Sequence, residues 1–234
     1  MDSLDFCRCR ALNNIPQKKL QEKLAEINES TADIKIKNVK LIAINRYAES
    51  NIPIEYWGLK MEKDFQGDPR LKEKYDEYIT DLKQSYRDGS SVCLAGGHGR
   101  GKTTTVCCIL KKACNKNFSC LYTTLSDIVN VITQASSEDK FLAKRELNLV
   151  DFLAIDEFDP RFMPSENAAD LYARSLEGVF RTRSQNKLPT LMCTNSPNVT
   201  KSFNGPLQDS IDSLMKGYTK MFPVFGDDFR KKNI

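Results

Sequence analysis

The sequence predicts an α/β fold: a parallel sheet flanked by helices on both faces, with a short helical extension in front. Three observations carry this. From residue 91 onward, apolar runs of strand length alternate with helical periods, the pattern of strands joined by crossover helices. The first run, SVCLAG, leads straight into the glycine-rich stretch GGHGRGKT at positions 96–103. The third, VDFLAI, leads straight into the adjacent carboxylates Asp156 and Glu157.

The elements follow in order. Residues 17–28, after Pro16, carry Leu20, Leu24 and Ile27 at helical spacing and predict a short amphipathic helix. Residues 36–49 place Ile36, Val39, Ala43 and Tyr47 on one face. This second helix should end before Asn51-Ile52-Pro53, because a residue preceding proline avoids helical angles. Residues 70–87 align Leu71, Tyr75, Tyr78, Leu82 and Tyr86 in a stripe that reads as core, with Gly89 as the stop. A strand at SVCLAG, a helix from Lys102 to about Asn115, and a strand at FSCLYT come next. A polar helix pair over LSDIVNVITQA and SEDKFLAKREL, the strand VDFLAI, the helix SENAADLYARSLEGVFRTR and the strand LPTLMCTN complete a sheet of four strands. The division is an extension at 1–45 and the main α/β domain at 46–234.

The 234 residues suit one α/β domain plus a small appendage. A hydrophobic share of 40% with 28% charged residues is ordinary for a globular chain, and a net charge of +4 only weakly favours an anionic partner. The start, MDSLDFCRCRALNNIP, has no apolar leader, and no apolar run is long enough to cross a bilayer. The expected location is cytoplasmic, the host cytoplasm for a phage-encoded chain, with no membrane partner. Of eight cysteines, Cys7 and Cys9 form a pair without a second pair nearby, and the sole histidine is His98. That spacing argues against structural zinc. Cys93, Cys107, Cys108, Cys120 and Cys193 sit in apolar contexts, where a reduced thiol packs as a small hydrophobe.

GGHGRGKT fits G-x-x-x-x-G-K-[ST] between a strand and a helix, the context that marks a phosphate-binding loop. Glycine at such positions lets backbone N–H groups converge on phosphate oxygens, and the helix N-terminus adds positive potential. The nucleotide-binding set is thus Gly96, Gly97, His98, Gly99, Arg100, Gly101, Lys102, Thr103 and Thr104. Lys102 supplies a cation for the β- and γ-phosphates of ATP, and Thr103 a hydroxyl ligand for Mg²⁺. Asp156 is placed to hold the same Mg²⁺, and Glu157 to polarise an attacking water. Two adjacent carboxylates point to hydrolysis rather than transfer to a small acceptor. Asn195, at the end of LMCTN, can orient that water or sense the γ-phosphate, although asparagine after a strand also suits a plain turn.

Taken together, GGHGRGKT, FLAIDE and PTLMCTNS in this order resemble the AAA+ ATPases, and more narrowly the DnaC/DnaI helicase loaders and the IstB transposition ATPases. RYAESNIPIEYW, YTTLSDIV, RTRSQNKLPT and the terminal FGDDFR extend the likeness over about residues 46–230. The resemblance implies ATP hydrolysis with Mg²⁺, a replicative helicase as partner, single-stranded DNA as ligand and self-assembly when ATP or DNA is bound. It implies a DNA-lining helical region at residues 126–147, where Lys140, Lys144 and Arg145 can neutralise phosphates. The same cations also fit a solvated face balanced by Glu138, Asp139 and Glu146. It further implies an adenine pocket at Ile52, Tyr56 and Trp57, residues that equally suit the core.

The chain departs from this family in two places. Its extension is short and lacks the zinc-ligand set of some loaders. Where relatives carry arginines after the fourth strand, it has Ser210 and Leu214, with Lys216 nearby. Arg161, Arg181 and Arg183 are candidate substitutes, and slow turnover without a partner is expected. A transposition ATPase on duplex DNA and a nucleotide-switched adaptor that hardly hydrolyses are the alternatives.

Overall fold

The computed structural model describes residues 10–159, 166–196, 216–226 and 228–229, with isolated positions at 209 and 213. Five parallel strands run in the order β2-β3-β4-β1-β5. They are β1 (Ser91–Ala95), β2 (Cys120–Thr124), β3 (Phe152–Asp156), β4 (Thr190–Thr194) and β5 (Thr219–Pro223). The four expected strands are present, and β5 is one more. It pairs with β1 from Ser91↔Thr219 to Ala95↔Pro223. Its sequence, TKMFP, hides the strand for a physical reason. An edge strand that is mostly exposed needs no continuous apolar run, and a terminal proline is tolerated there.

Side chains alternate across the sheet and build two cores. On one face Cys93, Leu121, Leu153, Ile155 and Met192 pack beneath α6 (Leu125–Gln134), α7 (Ser137–Leu149) and α8 (Glu166–Gln185). On the other, Leu94, Cys120, Phe152, Ala154 and Leu191 pack against α3 (Pro69–Thr80) and α5 (Lys102–Asn115). Cys93, Cys107, Cys108, Cys114, Cys120 and Cys193 are buried free thiols, and burial pushes Cys93 up to about 12. Cys7 and Cys9 lie outside the described residues. Among the described residues no helix is long and apolar enough to cross a membrane.

The helix expected over 70–87 is two. Asp81 leaves helical geometry and caps α4 (Leu82–Arg87) by accepting from the Gln84 N–H at 2.9 Å. Its tyrosine stripe is core: Tyr75 and Tyr78 are buried, and Tyr86 meets Phe118 at 4.9 Å between ring centroids.

The extension is a helical hairpin, α1 (Gln17–Ser30) against α2 (Ile34–Glu49). Leu20, Leu24 and Ile27 are half-buried. Ahead of α1 the chain threads into the domain: Leu12 sits under α6 and α7, and Ile15 enters the opposite core. The face expected on α2 is buried only at its end, at Tyr47 with Ala43 partly covered. Ile36 and Val39 are exposed, together with Ile34 and Ile42. The first helix of the supposed polar pair, α6, is amphipathic instead, with Leu125, Ile128, Val129 and Val131 buried.

Candidate functional site

β1 ends at Ala95 and α5 begins at Lys102, so the glycine-rich stretch is the connection between them. Two of its glycines are required by φ angles of 68° at Gly99 and 88° at Gly101, a region that side chains disfavour. Gly96 is required by contact, since a Cβ there would lie 2.2 Å from the Val224 carbonyl oxygen. The first N–H groups of α5 therefore open toward the loop, as an anion site needs.

Lys102 is buried, and its ammonium donates to the Gly96 and Gly97 carbonyls, both at 2.7 Å, and to Asn195 Oδ1 at 3.0 Å. The cation is thereby held at the loop by weakly basic acceptors that phosphate oxygens can replace. Asn195 reaches it because β4 is the neighbour of β1 in the sheet.

Asp156 closes β3, next to β4. Its Oδ2 accepts from the Tyr122 hydroxyl at 2.9 Å and its Oδ1 from the Glu157 N–H at 2.7 Å. Burial pushes the Tyr122 phenol well above its ordinary value, and the buried Asp156 carboxylate beside it adds to the effect. Glu157 is exposed and takes a φ of 49°, with the buried Phe158 fixing the turn through its N–H to the Cys193 carbonyl at 2.8 Å.

One cleft of about 480 Å³ is lined by Lys102, Thr103, Thr104, Asp156, Glu157 and Asn195, with His98, Gly99, Arg100 and Gly101 on its loop side. The donor set fits a magnesium nucleotide. A lysine and helix N–H groups suit phosphate, while a threonine hydroxyl and a buried carboxylate supply the hard oxygen ligands of Mg²⁺.

The base-pocket expectation divides. Ile52 and Trp57 are core residues, and the indole N–H donates to the Ile52 carbonyl at 2.7 Å. Tyr56 lines the cleft, joined by Leu59 and Phe229, which sequence reading did not single out. Lys111 was missed as well. Its buried ammonium donates to the carbonyls of Tyr56 at 2.5 Å, Trp57 at 3.4 Å and Leu59, fixing the wall of the cleft. Burial pulls that ammonium below its usual value. The available signal was a lysine four residues from Cys107 and three from Cys108 and Cys114, on a helix face otherwise apolar.

The structure corrects the substitute-arginine expectation at Arg183. Its guanidinium is buried and donates to Thr190 Oγ1 at 3.0 Å, to the Leu147 and Val150 carbonyls at 2.9 Å each, and to the Pro189 carbonyl at 2.7 Å. A cation so enclosed ties α7 and α8 to the starts of β3 and β4 and cannot act on a phosphate. Arg181 is exposed and pairs with Glu177 at 2.6 Å. Lys216 is exposed, and Arg161, Ser210 and Leu214 lie outside the described residues.

On α7, Lys140, Lys144 and Arg145 are all exposed, and so is Phe141 between them. Asp139 accepts from the Ser136 hydroxyl at 2.8 Å at the helix start, and Glu146 is buried.

A family model for IstB-like ATP binding proteins matches residues 61–185, more than half of the 234-residue chain. The chain belongs to the IstB-like ATP-binding family. The matched span holds both the phosphate loop and the Asp156-Glu157 pair and stops short of Asn195. No curated protein matches in sequence at a significant level. Among solved structures, DnaI superposes with a TM-score of 0.61 at 16% identity, covering 76% of this chain and 94% of DnaI. The DnaC helicase loader gives 0.58 at 14%, covering 74% and 100%. The replication initiator DnaA, solved with AMPPCP and single-stranded DNA, gives 0.58 at 15%, covering 76% and 52%. At these identities the likeness establishes the fold, that of an AAA+ P-loop NTPase.

Proposed function

We propose that this IstB-like protein is a Mg²⁺-dependent ATPase of DNA replication that loads a replicative helicase and grips single-stranded DNA according to its nucleotide state. The convergence of Lys102, Thr103, Asp156, Glu157 and Asn195 on one cleft carries the ATPase part. Bound Mg·ATP supplies the γ-phosphoryl group and the metal charge. With nucleotide bound, Lys102 would exchange its carbonyl acceptors for phosphate oxygens, Thr103 and Asp156 would hold the metal, Glu157 would polarise the attacking water, and Asn195 would orient it. Tyr122 keeps Asp156 turned toward the cleft.

The exposed α7 set supports the DNA part. Three cations track phosphates, and Phe141 offers a ring on which a base stacks. The exposed Ile34, Ile36, Val39 and Ile42 on α2 support docking of a protein partner through the 1–45 extension. The resemblance to the IstB transposition ATPases carries a second reading, transposition targeting on duplex DNA. Glu157 in place at the cleft speaks against an adaptor that hardly hydrolyses.

Completing the site with an arginine from a second subunit is worth roughly 10³–10⁵ in rate where such groups act. Turnover by dilute protein should therefore be slow and should rise with protein concentration and single-stranded DNA. Steady-state hydrolysis across a concentration series, with single-stranded or duplex DNA, tests this. Stimulation by duplex alone selects the transposition reading, and fast hydrolysis by dilute monomer refutes the incomplete site.

A further inference from the structure

We infer that Asp68 is a positioning residue for the phosphate loop, binding the C-terminal segment to the loop so that its phosphate-receiving shape exists before nucleotide arrives. This rests on the nucleotide reading of the cleft.

Three pieces of chain distant in sequence meet at this point. The segment before α3 lies directly against the loop. The Asp68 N–H donates to the Arg100 carbonyl at 3.2 Å, and a Cβ on Gly67 would stand 2.7 Å from that same oxygen. Phe65 closes on the next residue, within 2.6 Å of where a Gly101 Cβ would be. The segment after β5 supports the loop from another side. Arg100 donates from Nη1 to the Val224 carbonyl at 2.7 Å, and the Phe229 N–H donates to the Gly99 carbonyl at 3.0 Å.

The Asp68 carboxylate joins the two supports. It is almost wholly buried and accepts from the Phe225 N–H at 3.0 Å, across 157 positions of sequence. Arg70 holds the carboxylate in place, donating from its backbone N–H and from Nε, both at 3.1 Å, and from Nη2. The Arg70 guanidinium also covers the Phe225 ring at 4.8 Å and the Phe222 ring at 5.8 Å. The Arg70 side chain and the Phe225 N–H hold this carboxyl at about 2, so it is ionised at any physiological pH.

Why this bears on binding follows from the loop itself. Gly99 and Gly101 hold left-handed angles, and glycine gives such angles no rigidity of its own. The loop's shape must be imposed by its surroundings, and those surroundings are the two segments that Asp68 joins. A loop held in shape binds phosphate without first losing conformational freedom. Once phosphate is bound, its own contacts hold the loop. Loss of Asp68 should therefore weaken affinity and spare the rate of the bound complex.

The experiment measures Kd for a fluorescent ATP analogue and kcat at saturating ATP in wild type, Asp68→Asn and Asp68→Ala, with thermal melting as the fold control and Lys102→Ala as the binding control. Wild type should bind and Lys102→Ala should not. Asp68→Ala should raise Kd roughly tenfold or more, as loss of hydrogen bonds from a charged group does. Asp68→Asn keeps one acceptor for the Phe225 N–H and should recover part of that loss, while kcat in both stays within about twofold of wild type. Kd equal to wild type in a folded Asp68→Ala overturns the inference, as does an equal fall in kcat, or unfolding of both variants, which would make Asp68 a residue of the fold alone. If wild type and Lys102→Ala bind alike, the nucleotide reading fails first and the inference falls with it.

Discussion

Arg183 was legible as a candidate arginine for catalysis, and the structure makes it a brace, so replacing it by methionine separates the two roles. The substitution keeps an unbranched stem and removes the guanidinium. Four hydrogen bonds between 2.7 and 3.0 Å go with it, three of them to carbonyls, along with a longer contact of 3.5 Å to the Asp151 carbonyl. Hydrogen bonds from a charged donor are worth about 1.5–3 kcal/mol each, so the four amount to about 6–12 kcal/mol. Against this stands the cost of burying the cation, several kcal/mol by general experience, and burial pulls the Arg183 guanidinium down to about 9. Hydrogen bonding wins, because the carbonyls it leaves behind stay buried, and the net loss should be about 3–5 kcal/mol. In a chain of this size that lowers Tm by roughly 10 °C. Thermal melting with ATP turnover below the transition is the assay. An Arg183→Met variant that melts like wild type while its turnover collapses would instead mark Arg183 as a catalytic arginine.

Three further outcomes are expected. Lys111→Met should raise the Kd for ATP severalfold and cost about 1–3 kcal/mol of stability, because three carbonyls that shape the cleft wall lose their donor; calorimetric titration and chemical denaturation read both. Reversing Lys140, Lys144 and Arg145 to glutamate should weaken single-stranded DNA binding and flatten its salt dependence by about two in slope, and Phe141→Ala should weaken it by about 1–3 kcal/mol without changing the slope; fluorescence anisotropy across a salt series checks both, with unchanged affinity meaning a merely solvated face. Ile36→Asp with Val39→Asp should leave folding and ATP binding intact, since both side chains are exposed, while abolishing capture of the replicative helicase in a pull-down. A deletion of residues 1–35 is the poorer test, because it removes the buried Leu12 and Ile15 from the cores.

The convergence of the predicted site residues on one cleft was legible because its signals are local. GGHGRGKT and FLAIDE each join a strand to a polar turn, and strand spacing alone brings Lys102, Asp156 and Asn195 to one end of the sheet. What escaped was written in long-range packing. β5 has no apolar run because one of its faces and its outer edge need none. Lys111 draws no notice in sequence and Arg183 reads there as a candidate catalytic arginine, and only the carbonyls gathered around them reveal buried structural donors. Ile52, Tyr56 and Trp57 share one motif, yet the backbone turn at Ile54–Tyr56 sends only Tyr56 to the cleft. On α2, helical periodicity suggested a buried face without saying how far along the helix a partner element reaches.

The most direct measurement is titration of a fluorescent ATP analogue into wild type, Lys102→Ala and Glu157→Gln, with hydrolysis followed in parallel. Lys102→Ala removes the cation now held by the Gly96 and Gly97 carbonyls, whereas Glu157→Gln removes only the group proposed to polarise water. Wild type should bind and hydrolyse, Lys102→Ala should do neither, and Glu157→Gln should bind as wild type does but not hydrolyse. Wild-type affinity in Lys102→Ala would contradict the phosphate-loop reading.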